Sequence, residues 1–339
     1  MDTQSRSQTQ SPLIDAFGRR ITYLRLSVTD RCDLRCHYCM DEQPDFLPRK
    51  DLLSYEELAA ICDSFIARGV SKIRITGGEP LVRRDVITLI EALGQRLGNS
   101  ALNEITLTTN GTQLERHADQ LAAAGVRRIN VSLDTLDEVM FRRLTRNGRL
   151  ADVLRGIDAA QKAGLHIKIN TVALKGENEH QISDLMVWAH GRGMDMSLIE
   201  VMPVGEIEAR RVDQFLSLKG VRDRLEQHFT VRDIPLDTGG PSRYVTIGET
   251  GGRLGFISPL SHNFCDTCNR VRVTCTGKLY MCLGWEDSVD LRDTLRNGGP
   301  SALDARLDLA IAGKPERHEF DVSATGRAAV KRSMSETGG

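Results

Sequence analysis

The stretch YLRLSVTDRCDLRCHYCM, residues 23–40, decides the reading of the chain. Its first half alternates: Leu24, Leu26 and Val28 share one parity, and Arg25, Ser27 and Thr29 share the other. Successive side chains of a strand point to opposite faces, so one face is apolar and the other polar. Its second half holds Cys32, Cys36 and Cys39 in a C-x3-C-x2-C pattern. Three cysteines suit neither a disulfide framework, which needs pairs, nor an ordinary structural zinc site, which needs four donors.

Working outward, the same alternation recurs in "KIRIT", "EITLTTN", "RINVSLD" and "HIKIN". Between these runs lie amphipathic helices, each closed by glycine and then an apolar residue: Gly69, Gly125, Gly164 and Gly193 fit the left-handed position at a helix end. Ser54 and Glu57 form a capping-box pattern, followed by Leu58, Ile61, Cys62 and Phe65 at helical spacing. Helix–strand alternation predicts a parallel sheet. A sheet with helices on both faces would carry continuously apolar strands. These strands carry one polar face, so we expect an incomplete TIM-type α/β barrel with helices outside and a polar lumen. Arg25, Lys72, Arg74 and Lys168 fall on the inward parity, which favours an anion. Beyond residue 205 the turns become glycine-rich ("DTGGPSRYVTIGETGGRLGFIS"), and an antiparallel C-terminal appendage is expected.

Composition narrows the class. A formal net charge of −1 gives no basic field for nucleic acid, and 5% aromatic residues give few stacking surfaces. No apolar run approaches the roughly 20 residues of a membrane span. The polar opening "MDTQSRSQTQSP" lacks a signal-peptide core and reads as a disordered lead-in. A cytoplasmic location is expected, where eight cysteines stand for core packing, metal ligation or redox chemistry rather than disulfides. The expected division is a tail over 1–14, a barrel over 15–205, a cysteine-bearing region over 206–325 and a second tail over 326–339.

Three thiolates would leave one iron of a 4Fe–4S cube open to a ligand. The zinc alternative needs a fourth donor, and His37 lies inside the motif. "CDLRCHYC" followed by "TGGEP", residues 76–80, resembles the radical S-adenosylmethionine (SAM) enzymes. The resemblance implies that SAM chelates the open iron, is cleaved to a 5′-deoxyadenosyl radical, and has its methionine end held by Gly-Gly-Glu-Pro.

A second set, Cys265, Cys268, Cys275 and Cys282, lies in "HNFCDTCNRVRVTCTGKLYMCLG". Zinc ribbons also use C-x2-C pairs, so zinc competes here. Arg270 and Arg272 are two apart and share a strand face, while Cys275 has the other parity and adjoins a turn. We expect a free thiol at Cys275 and a core role for Cys62. The segment "CNRVRVT", together with "LTTNG", "NVSLD", "IKINTV", "IEVMP" and the terminal "SETGG", is similar to the GTP 3′,8-cyclases of molybdenum-cofactor biosynthesis.

That resemblance implies two 4Fe–4S clusters. Cys32, Cys36 and Cys39 would hold the SAM cluster, and Cys265, Cys268 and Cys282 the substrate cluster, whose open iron meets guanine. Tyr38, Gly78, Ser132 and Met202 match SAM-contacting positions. Arg25, Arg74, Thr108, Lys168, Arg270 and Arg272 match GTP-contacting positions, and a triphosphate calls for the forked donors of arginine. Gly338 and Gly339, otherwise read as a loose terminus, would reach into the active site. Arg270, Arg272 and this glycine pair are the expected catalytic set. One departure stands out: Ser197 occupies a place where the family commonly has Arg, with Arg192 and Arg210 as the nearby substitute cations.

The implied reaction removes the hydrogen from the ribose 3′ carbon of GTP, joins that carbon to guanine carbon 8, and adds one electron and one proton. The product is 3′,8-cyclo-7,8-dihydro-GTP. An external electron donor and a downstream cyclic pyranopterin monophosphate synthase are the implied partners, and a homodimer is compatible with the sequence. The rivals are a peptide-modifying radical SAM enzyme with an auxiliary cluster, against which the cationic lumen argues, and a non-enzymatic zinc module, which has no use for "GGEP".

Overall fold

Six parallel strands in sequential order form the centre of one sheet: β1 (Tyr23–Ser27), β2 (Lys72–Thr76), β3 (Glu104–Thr109), β4 (Arg128–Ser132), β5 (His166–Ala173) and β6 (Asp195–Glu200). The computed structural model describes residues 11–205, 211–320 and 328–338. Helices α1 (Tyr55–Ala67), α2 (Val86–Gly94), α3 (Leu114–Ala123), α4 (Glu138–Thr145), α5 (Leu150–Lys162) and α6 (Ile182–Gly191) alternate with the strands. The apolar parity packs against them. Leu24, Leu26, Ile73, Ile75, Ile129, Val131 and Ile169 are all 0% exposed, within one core that also holds Leu58, Phe65, Leu89 and Ile157. Each such side chain stabilises the fold by roughly 1.5–3 kcal/mol through burial. Cys62 belongs to this core.

Helix ends follow the glycine rule. Gly69, Gly125, Gly164 and Gly193 have φ of +89°, +91°, +79° and +69°. After Gly69 the chain reverses sharply enough for the Val70 N–H to donate back to the Phe65 carbonyl at 3.0 Å.

The C-terminal region is woven into the sheet rather than hung from it. After α7 (Arg211–Gln214) and α8 (Leu218–Leu225), strands β7 (Val231–Ile234), β8 (Arg243–Ile247) and β9 (Arg253–Ile257) form an antiparallel meander, and β9 pairs parallel to β6. The chain then crosses to the other edge, where β10 (Arg270–Val273) pairs parallel to β1. Antiparallel β11 (Lys278–Tyr280) and β12 (Ser288–Asp290) follow. The result is a twelve-stranded sheet, β12-β11-β10-β1-β2-β3-β4-β5-β6-β9-β8-β7, that does not close on itself. The expected antiparallel strands are present, but two of their number extend the barrel. Helix α9 (Leu291–Ala312) packs on α1, and α10 (Met334–Thr337) lies near the end of the chain.

Order also begins earlier than residue 15. Leu13 is 1% exposed, and its carbonyl accepts from the Ile21 N–H at 2.9 Å.

Candidate active site

Strand register turns the polar parity into rows across the lumen. Arg270, Tyr23, Lys72 and Glu104 are neighbours in one row, and Arg272, Arg25, Arg74 and Thr106 in the next. Higher up lie Thr108, Asn130 and Lys168, then Ser132, Asn170 and Ser197. The parallel strands all run the same way, so loops before the strands sit at one end of the lumen and loops after them at the other.

The lower end is cationic. A cavity of about 140 Å³ is lined by Cys265, Cys268 and Cys282 together with Arg25, Arg74, Lys168, Arg270 and Arg272. Cys265 and Cys268 immediately precede β10, and Cys282 returns to the same end after β11. The turn between these strands carries Cys275 to the opposite end, where its carbonyl accepts from the Leu53 N–H at 2.8 Å. Burial, then Asp30, pushes the Cys275 thiol up to about 12. Cys268 behaves differently. Burial would raise it, but Arg270 and Lys314 bring it down to about 7. The Lys314 ammonium lies 3.6 Å from its sulfur. Burial also lowers the Arg272 guanidinium, with Arg25 and Arg270 adding repulsion. Tyr23 shares the row. Burial opposes its ionisation, yet Arg74, Arg25, Lys72 and Arg270 pull the phenol down to about 8.

The upper end is acidic. A cavity of about 190 Å³ is lined by Cys32, Cys36, Cys39, Tyr38, Gly78, Ser132 and Met202. Burial, then Glu79, pushes Cys32 up to about 12, and burial with Cys39 raises Cys36 further. Thiolates there need a bound cation such as iron to be populated. The Gly77-Gly78 turn lies against the cysteine loop: a β-carbon on Gly78 would overlap the Arg31 carbonyl. Glu79 is fully buried, accepting from Leu81 N at 3.0 Å, Thr109 Oγ1 at 2.9 Å and Asn110 N at 2.6 Å; burial raises it to about 8. The Tyr38 hydroxyl donates to Asp134 at 2.5 Å.

Asn170, Ile199, Met202 and Met334 line both cavities, so the two ends meet there. The C-terminal segment enters beside that junction. The Gly338 carbonyl accepts from Arg272 at 2.7 Å and from Arg25 at 3.4 Å. Gly338 has φ +81°, and a β-carbon on it would overlap the Thr76 hydroxyl.

Other positions differ from expectation. Thr108 lines the upper cavity, whereas Asn130 and Lys168 of the same row line the lower. Arg192 does not stand in at Ser197. It lies outside the barrel after α6, bonded to Asp158 and Gln161. Arg210 and Gly339 lie outside the described residues. Sequence reasoning missed Tyr23, whose parity with Arg25 was available, and Lys314, which no local pattern marks.

Buried side-chain atoms without a hydrogen-bond partner among the described residues include Arg74 Nε, Thr76 Oγ1, Thr108 Oγ1, Asn130 Oδ1 and Asn170 Oδ1, all facing the lumen. Such atoms are costly to bury dry, so the lumen fits polar ligands.

Residues 26–189 match the radical SAM superfamily and residues 194–320 match Molybdenum Cofactor Synthesis C. The chain is 59% identical over 330 residues to a GTP 3′,8-cyclase of Rhizobium etli, covering 97% of this chain and 94% of that protein. It is 60% identical to the GTP 3′,8-cyclase of Brucella canis, with 97% and 96% covered. This chain belongs to the GTP 3′,8-cyclase family. The fold is also that of Streptococcus suis SuiB bound to S-adenosylmethionine (TM-score 0.58, 16% identity, covering 90% of this chain and 77% of that one). Native anSMEcpe with bound AdoMet is a second structural neighbour (TM-score 0.55, 15% identity, 83% and 82% covered). No helix among the described residues is long and apolar enough to cross a membrane.

Proposed function

We infer that the chain converts GTP to 3′,8-cyclo-7,8-dihydro-GTP, the first step of molybdenum-cofactor biosynthesis. The observation that carries this is one lumen with a cysteine triad at each end and a row of arginines between. Cys32, Cys36 and Cys39 would hold a 4Fe–4S cluster with SAM, and Cys265, Cys268 and Cys282 a second one facing guanine. When bound and reduced by an external donor, the first cluster with SAM supplies a 5′-deoxyadenosyl radical.

The chain's own residues do the positioning. Gly78, Tyr38, Ser132 and Met202 shape the SAM end. Arg25, Arg74, Arg270, Arg272 and Lys168 offset the triphosphate charge, and the first four can grip its oxygens in pairs. Thr108 lies on the SAM side of the junction, so its contact with GTP would be made there. Gly338 takes two lumen arginines, which fixes the row beside the reacting carbons. The cavities meet at Asn170 and Met202, where the ribose 3′ carbon would face the radical, and holding reactants in this way supplies much of the rate. The product would pass to a cyclic pyranopterin monophosphate synthase.

The test is anaerobic. The protein is reconstituted with iron and sulfide, then given SAM, a strong reductant and GTP, and the mixture is separated by liquid chromatography with mass detection. A new peak at the mass of GTP but a different retention time, together with 5′-deoxyadenosine, is expected. 5′-Deoxyadenosine without that peak would retain the radical chemistry and overturn GTP cyclisation.

A further inference from the structure

Ser197 lies where β6 meets β9. It is 0% exposed, and its register partner on β9 is Gly255, whose partner on β8 is Tyr244. A β-carbon on Gly255 would stand 2.6 Å from Ser197 Oγ, 2.9 Å from Ser242 Oγ and 3.0 Å from Tyr244 Cε1. Real β-carbons do not make the first of these contacts, so the small residue on β6 and the absent one on β9 jointly open a slot. Ser242 fills its mouth, 3.2 Å from Ser197 Oγ. Tyr244, 3% exposed, fills its depth. An arginine at 197 would need the same volume.

The phenol that enters this slot arrives at a lysine. Lys168 Nζ donates to Tyr244 Oη at 3.0 Å and sits 5.6 Å from the ring centroid. Thr238 Oγ1 lies 3.2 Å from the same phenol oxygen. Lys168 is itself 5% exposed and lines the lower cavity, so its ammonium has lost water and, among the described residues, gained this side-chain hydroxyl. The same segment takes the second lysine of the lumen: Lys72 Nζ donates to the Thr238 carbonyl at 2.8 Å. The stretch from Thr238 to Tyr244 therefore forms a back wall that fastens both lysines.

We propose that Tyr244 is a positioning residue for the triphosphate, reaching Lys168 through the space left by Ser197 and Gly255 and aiming its ammonium into the cavity. This rests on the GTP reading of the site.

The test is anaerobic equilibrium binding of GTP and of guanosine to the reconstituted protein, for wild type, Tyr244→Phe, Lys168→Met and the double variant. Tyr244→Phe keeps the ring and removes the hydroxyl. It should weaken GTP about tenfold, the scale of one hydrogen bond to a charged group, and leave guanosine unchanged. In the Lys168→Met background it should weaken GTP no further, because the proposed route runs through that lysine. Equal weakening of GTP and guanosine, wild-type affinity in Tyr244→Phe, or losses that multiply in the double variant would each overturn the proposal. Should Tyr244→Phe lose its clusters, Thr238→Val decides. It removes the other hydroxyl on the phenol and should weaken GTP about threefold with guanosine unchanged, and no loss overturns the proposal. Wild-type protein that binds no GTP would overturn the functional reading and this inference together, whereas normal GTP binding with an indifferent Tyr244→Phe overturns the inference alone.

Discussion

Each end of the lumen holds three cysteines, at different spacings and in different electrical settings. At the upper end burial, then Glu79, pushes Cys32 up to about 12. At the lower end Cys268 is brought down to about 7 by Arg270 and Lys314. The difference tracks the charge of what each end is read to receive: a sulfonium and ammonium above, a triphosphate below. Cys268 forms its thiolate readily, while burial raises Cys265 beside it as well as Cys32 and Cys36, and those thiols depend on metal to become thiolates.

The largest effects should come from breaking either triad, and they should differ in kind. Cys36→Ala should abolish 5′-deoxyadenosine formation altogether. Cys265→Ala should abolish the cyclised product, and cyclisation retained by that variant would remove Cys265 from the substrate cluster. Both are read in the same anaerobic assay.

Next is the segment that crosses between the ends. Gly338→Ala places a β-carbon on the Thr76 hydroxyl and should expel the tail from Arg272 and Arg25. Product formation should fall about 100-fold, the cost of misplacing reacting groups by an ångström, with SAM affinity unchanged. Arg272→Lys keeps the charge and loses the fork. It should weaken GTP about tenfold, read by binding, and should leave the upper end untouched.

The smallest effect is a titration. The Tyr23 phenol ionises at about 8 in the fold against an ordinary value of 10.0. Its ionisation therefore adds stability to the ligand-free protein as pH rises from 8 towards 10, and that contribution is lost as pH falls through 8. Ultraviolet titration should show an early phenol near pH 8 that disappears in Tyr23→Phe, while that of Tyr244, opposed by burial yet drawn down by Lys168, remains. A phenolate repels triphosphate, so GTP affinity should decline above pH 8 in wild type and hold in Tyr23→Phe. Unchanged titration curves between the two would show that the row of cations does not act on Tyr23.

Much of this was legible because a strand period of two is hard to disguise. The alternation in "YLRLS" and "KIRIT" placed Arg25 and Arg74 on one face, and the register sets them side by side. What escaped depended on distance in the chain. Lys314 meets Cys268 only because α9 returns to the lower end. The meaning of Ser197 needed β8 and β9, which the glycine-rich turns of residues 238–255 announced as strands without giving their neighbours. Thr108 was placed by similarity alone, and it lines the upper cavity.

The pairing of β10 with β1 has a consequence for how the chain comes to be folded. When the first six strands have emerged from the ribosome, β1 and β6 are both bare sheet edges, and the strands that cover them are still to be made. Such edges invite pairing with other chains, and their native partners are distant in sequence, which slows closure. A fragment stopping after β6 would thus be a sticky half-barrel, and the C-terminal third serves as its stopper on both sides. Yield during expression should respond to damage in β9 or β10 as strongly as to damage in the barrel core.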